Sequence, residues 1–170
     1  MAVTNEYSDQ LTKIYPVAAG STNPAEPVEA HELGGRKRVA VFEFTQGAAA
    51  GDATSTAELI ELPGGTQRIL ADESKVYYSA FGSARTLAIG YRAYTNADGT
   101  AVAESSTALN AATSVASAGS FNVGAALQVA ASGGMATYDS RDGITIFGTV
   151  AGGTIPAAAT IKGHITYVVD

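Results

Sequence analysis

Two stretches of the chain alternate apolar and polar positions with a period of two, the signature of strands that bury one face. In the first, residues 36–103, the run Val39-Ala40-Val41-Phe42-Glu43-Phe44 is rich in strand formers. Glu58 to Leu62 and Thr66 to Leu70 flank Pro63-Gly64-Gly65, and that turn signal predicts a hairpin. Val76 to Phe81 predicts another strand. Thr86 to Thr95 reads as one continuous strand with Leu87, Ile89, Tyr91 and Ala93 on one face, closed by a turn at Asn96-Ala97-Asp98-Gly99. In the second stretch, residues 139–170, Ile144 to Val150 is a strand. Thr160 to Val169 places Ile161, Gly163, Ile165, Tyr167 and Val169 on one face, and Lys162, His164, Thr166 and Val168 on the other. About seven or eight short strands separated by Gly and Pro turns predict an all-β fold, a jelly-roll-like β-sandwich.

Two other stretches lack this alternation. Residues 1–35 carry Pro16, Pro24 and Pro27, which lock φ and remove donors. They read as an extended N-terminal arm ahead of a domain at 36–170. Fully extended, the arm reaches about 110 Å at ~3.3 Å per residue. Tyr7, Leu11, Ile14, Tyr15 and Val17 are apolar anchors that a partner surface, such as a neighbouring subunit, would bury. Residues 105–138 contain no charged side chain and consist mostly of Ala, Ser, Gly and Thr. They read as an insertion suited to close backbone contact. Leu109, Ala112, Val115 and Ala116 have the spacing of a short helix, which the Ser and Thr content weakens.

Composition changes the picture in one respect. The 46% hydrophobic share is inflated by alanine, so the side chains able to fill a core are fewer than it implies. The expectation is a modest core with two appendages buried by neighbouring subunits. The formal net charge of −6 argues against nucleic acid as a partner, because phosphate binding is driven by Lys and Arg. No stretch approaches the ~20 apolar residues of a membrane span, and the first residues lack the basic-then-apolar order of a signal peptide. A soluble protein made inside the cell is expected, with no membrane partner. The absence of cysteine removes disulfides, thiolate sites and cysteine nucleophiles.

Candidate chemistry is sparse. His31 lies in His-Glu-Leu-Gly-Gly without the second histidine of a zinc protease, and His164 falls on the outward face of the last strand. The Gly-Gly pairs at 34–35, 64–65, 133–134 and 152–153 match no nucleotide-binding loop and read as turns. Asn96, Asp98 and Glu104, or Asp139 and Asp142, offer oxygen ligands but not the spacing of a calcium loop. The expectation is no enzyme activity, no metal and no cofactor. Arg36, Lys37 and Arg38 form the basic cluster, fitted to orient an acidic partner or the acidic arm of a neighbour. Tyr77, Tyr78, Tyr91 and Tyr94 are possible stacking faces for a carbohydrate.

Residues 36–170 resemble the head decoration, or cement, proteins of tailed bacteriophages. The likeness lies in the small, cysteine-free, Ala/Gly/Thr-rich β-chain with an N-terminal arm. It also lies in Leu59-Ile60-Glu61-Leu62-Pro63-Gly64-Gly65-Thr66, in Leu87-Ala88-Ile89-Gly90-Tyr91, and in the ending from Thr154-Ile155-Pro156-Ala157 through Ile165-Thr166-Tyr167-Val168-Val169. The resemblance implies a homotrimer on the exterior of the virion capsid, bound where major capsid protein subunits meet, and made in the host cytoplasm. Other virion β-modules, such as a head fibre base or a tail-associated protein, share this style, and a carbohydrate-binding sandwich is a further alternative.

Overall fold

The strand formers near residue 36 begin the first strand of a two-sheet fold. A computed structural model describes residues 36–51, 55–123 and 135–169. Strands β1 (Lys37–Thr45), β3 (Gly65–Leu70), β4 (Lys75–Tyr78), β9 (Gly119–Asn122), β10 (Met135–Ser140) and β12 (Thr160–Val169) form one sheet. Strands β2 (Thr56–Leu62), β11 (Ile144–Ala151), β5 (Thr86–Tyr91) and β8 (Ser105–Ser114) form the second, in that order. A two-stranded ribbon, β6 (Tyr94–Thr95) with β7 (Ala101–Val102), completes the set. Every pairing is antiparallel. The described residues are thus an all-β sandwich, with twelve strands rather than seven or eight because the strand expected from Thr86 to Thr95 is broken into two and β7 to β10 form where none was expected.

β12 is the spine of the first sheet. β1 pairs along its whole length on one side, from Lys37 opposite Val168 to Thr45 opposite Thr160. On its other side β3 and β4 lie end to end, separated by a single 3-10 turn at Ala71–Glu73. Ser74 fastens that break: its buried Oγ accepts the Thr166 N–H at 2.9 Å, and Thr166 Oγ1 donates to the Glu73 carbonyl at 2.9 Å.

The hairpin expected at Pro63-Gly64-Gly65 does not form. β2 and β3 belong to different sheets, and each pairs instead with β11 and β10, Leu62 opposite Ile144 and Gly65 opposite Ser140. The four strands make one long antiparallel ribbon that folds over between sheets, as in jelly-roll winding. The physical reason is burial: the bend lets Leu62 and Ile69, both fully buried, face one core from two sheets. Glycine permits the close approach, since a Cβ on Gly64 would strike the Arg141 carbonyl and Gly65 has φ 116°. Buried Gln67 fastens the corner, donating through Nε2 to the Pro63 carbonyl and, at 2.9 Å, to Ser140 Oγ.

Three other expectations change. The helix considered around Leu109–Ala116 is instead strand β8 as far as Ser114, with Leu109 buried and Ala112 exposed, and Val115 buried just past its end. The uncharged stretch therefore contributes strands to both sheets as far as Asn122, and again from Met135. The strand expected from Thr86 to Thr95 ends at Tyr91, although the Arg92 N–H still donates to the Thr145 carbonyl of β11 at 2.9 Å, in register with that ladder. The strand expected from Val76 to Phe81 ends at Tyr78; Phe81 is still buried, its N–H donating to the Val115 carbonyl at 2.8 Å. The core between the sheets joins Leu87, Ile89, Leu109, Ile146 and Val150 to Ile69, Val76, Ile161 and Ile165. No helix among the described residues is long and apolar enough to cross a membrane.

Candidate interaction surface

Alternation along β1 sends Ala40, Phe42 and Phe44 toward the core and Val39, Val41 and Glu43 outward. Phe42 is buried, lying opposite Gly163 of β12, where a Cβ would come within 2.7 Å of the phenylalanine ring. The absent side chain on Gly163 thus seats Phe42. The outward valines have no such cover: Val39 is 61% exposed and Val41 74%.

Register extends this face across the sheet. Val41 stands opposite His164, which stands opposite Lys75 of β4; Glu43 stands opposite Lys162, which stands opposite Tyr77. Tyr77 is exposed, with Lys75 Nζ 5.4 Å from its ring centroid. Val39, Val41 and Tyr77 are the exposed large hydrophobic side chains among the described residues, and all three share this face. With strands about 4.8 Å apart, β4 with Tyr77 lies about 10 Å from β1 with its valines, and His164 and Lys162 of β12 stand between them. The face carries charge: Lys162 pairs with Glu43 at 2.6 Å, and Lys37 pairs with Glu73. Arg36, Lys37 and Arg38, the basic cluster of the sequence, lie exposed at the entry to β1. Tyr7, Leu11, Ile14, Tyr15 and Val17 lie outside the described residues, as does His31.

The outer face of the second sheet is closed. Phe147 points outward from β11 between the core residues Ile146 and Gly148, yet is fully buried. The Arg92 guanidinium covers it, 3.9 Å from the ring centroid. Arg92 is held there by Glu58 and Thr56, the latter at 2.8 Å, and by Glu104 at 2.7 Å. Those acceptors, Glu58 foremost, raise the guanidinium pKa above its ordinary value. Sequence reading missed this clamp, because its parts come from three separate segments. β8 adds a second layer: its pairing with β5 slips twice, and the backbone at Ser105–Ser106 passes so close over Gly90 that no side chain fits there.

The remaining candidates have local roles. Tyr91 meets Tyr94 and Tyr138 edge-on, at ring separations of 5.5 and 5.2 Å, and burial pushes the phenol pKa values of Tyr138 and Tyr94 up. Tyr78 packs against Phe121 at 5.8 Å. The four tyrosines considered for sugar stacking therefore fall into three separate contacts, Tyr91 with Tyr94, Tyr78 with Phe121 and Tyr77 beside Lys75, rather than on one platform. Asp98 accepts the Thr100 N–H at 2.8 Å, which lowers its pKa, and Glu104 is taken up by Arg92. No group of three or more His, Cys, Asp or Glu side chains suited to a metal stands together among the described residues.

No protein-family model matches this chain, and no curated protein matches its sequence. Solved structures do resemble it. A chain of the cyanophage Pam1 capsid asymmetric unit aligns over 89% of this chain and 96% of its own length, with a TM-score of 0.53 and 16% identity. At that identity the likeness is one of fold. A chain of infectious bursal disease virus, Gx strain, aligns over 79% of this chain but 32% of its own length, with a TM-score of 0.49 and 10% identity. The chain thus has an all-β sandwich fold found in a phage capsid structure, with one outer sheet face sealed by its own side chains and the other left open.

Proposed function

We propose that this chain is a virion structural protein, not an enzyme, that adds to the outer surface of a phage capsid and bridges major capsid protein subunits. The observation that carries this reading is the fold shared, over nearly the full length of both chains, with a component of a phage capsid asymmetric unit. The exposed Val39 and Val41 on the rim strand β1 support it, since a sheet edge with bare apolar residues offers a contact surface. A protein that binds the assembled lattice better than free subunits stabilises the shell by mass action. Trimeric presentation would multiply weak contacts into a firm attachment.

Immunogold labelling of purified particles tests the proposal. Decoration gives many evenly spaced labels over the shell. Labels confined to one vertex or to the tail would assign the protein to a fibre base or tail module, and unlabelled particles would remove the virion reading. Deleting residues 1–30 is expected to reduce co-sedimentation with expanded capsids at least tenfold, a difference of about 1.4 kcal/mol. Unchanged binding would show that Tyr7, Leu11, Ile14, Tyr15 and Val17 are not anchors.

A further inference from the structure

The sequence carries the pair Asp-Gly twice, at Asp98-Gly99 and at Asp142-Gly143. In such a pair the glycine nitrogen can attack the aspartate side chain. Glycine puts no side chain in the path, and both reacting groups are already held in one molecule. The fold treats the two pairs differently. At the tip of the β6–β7 ribbon the Gly99 N–H donates to the Asn96 carbonyl at 2.9 Å, and the Asp98 carboxylate accepts the Thr100 N–H at 2.8 Å. Nucleophile and electrophile are both engaged there. The Thr100 bond also lowers the Asp98 pKa, which keeps the carboxyl in the ionised form that an amide nitrogen does not attack.

Between β10 and β11 the situation is reversed. The Asp142 side chain is 79% exposed, and its carboxylate lies 3.7 Å from Arg141 Nε, too far for a hydrogen bond. Gly143 cannot be exchanged for a bulkier neighbour: its φ is 121°, and a Cβ there would come within 2.7 Å of the Leu62 carbonyl. The corner thus requires, after an exposed aspartate, the residue that hinders ring closure least.

We infer that Asp142 is a self-modification site that rearranges through a cyclic imide to isoaspartate. The Gly143 nitrogen bonds to the side-chain carboxyl carbon of Asp142, its proton passes to the departing hydroxyl, and one water leaves. Water then adds to the ring at the original main-chain carbonyl, and the bond from that carbonyl to the ring nitrogen breaks. The old main-chain carbonyl becomes the free carboxylate, and the chain now runs through the former side chain. Composition and charge are unchanged, and the main chain gains one methylene. The corner has no room for it. A Cβ on Gly64 would already come within 2.5 Å of the Arg141 carbonyl, and buried Ile144 stands opposite buried Leu62. The rearrangement therefore loosens the corner where the ribbon crosses between the sheets. It is independent of the assembly role proposed above, and its test needs no partner.

The test is to age the full-length protein in mildly acidic buffer made with oxygen-18 water and to digest it with trypsin, which separates the two sites because Arg141 lies between them. Ring hydrolysis leaves one heavy oxygen in the peptide, and fragment ions distinguish isoaspartate from aspartate. The expected result is conversion at position 142 about tenfold faster than at position 98. In urea the two rates should converge, because the ribbon turn no longer holds Asp98. Asp142→Glu, at an exposed position, should fold as wild type does and take up no label there. Its aged samples should keep their urea midpoint, while that of aged wild type falls. Equal rates in the folded protein, or a faster one at 98, would overturn the inference. A difference that persists in urea would trace the rates to flanking residues rather than to the fold and would also overturn it. Converted wild type with an unchanged midpoint would overturn the effect on the corner.

Discussion

The outer faces of the two sheets solve the same problem in opposite ways. On the second sheet, β11 turns Phe147 outward, and the molecule covers it with the Arg92 guanidinium, which Glu58 and Glu104 hold in place. On the first sheet, β1 turns Val39 and Val41 outward and they stay bare. Both strands are rich in strand formers, so propensity does not explain the difference. Position in the sheet does: β11 is central, flanked by β2 and β5, whereas β1 borders β12 at the rim. Neighbouring strands bring side chains over a central residue from both sides, and a rim residue has them on one side only. The covered face belongs to the stability of the chain, and the bare one is available to its partners.

Substitutions on the two faces should separate these roles. Phe147→Ala is expected to have the largest effect, costing about 3–5 kcal/mol, because a buried ring is replaced by a cavity under a fixed cover. Urea unfolding measures it, and a loss below 1 kcal/mol would mean that the cover collapses freely and that the second face is not sealed by packing. Arg92→Ala should cost less, about 1–2 kcal/mol, from the lost ring contact and the two partly exposed ion pairs. High salt should recover little of the difference between wild type and variant if the ring contact dominates, and most of it if the ion pairs do. The double substitution Val39→Thr and Val41→Thr should have the smallest effect on folding, within about 0.5 kcal/mol, since β-branched residues remain in an exposed strand. The same variant should lose co-sedimentation with expanded capsids. If it unfolds early, or binds as wild type does, the two faces do not divide the work as described.

The strands could be read from the sequence because alternation is a local property. Val39 to Phe44 and Thr160 to Val169 are identifiable from their own residues, as is the outward placement of His164. Pairing could not be read in the same way. Pro63-Gly64-Gly65 is a sound hairpin signal, and it was overridden by β10 and β11, which approach from about 80 residues away. Gln67 and Ser74 look like ordinary surface polar residues, yet both are buried and fasten bends in the chain. The Arg92 clamp joins Glu58, Glu104 and Phe147, whose spacing follows no motif.

By itself the sequence determined that the chain is all-β, that its charge lies largely in residues 1–35, and that cysteine chemistry has no place in it. Those properties are sums over residues or patterns within a few positions, and no partner is needed to evaluate them. Only the tertiary structure decided which strands share a sheet, which outward apolar residues are covered, and which remain bare. Whether a side chain such as Val41 or Phe147 meets water depends on segments far away in the chain. That is settled by the competition among whole pairings for a single core, not by the residue or its neighbours in sequence.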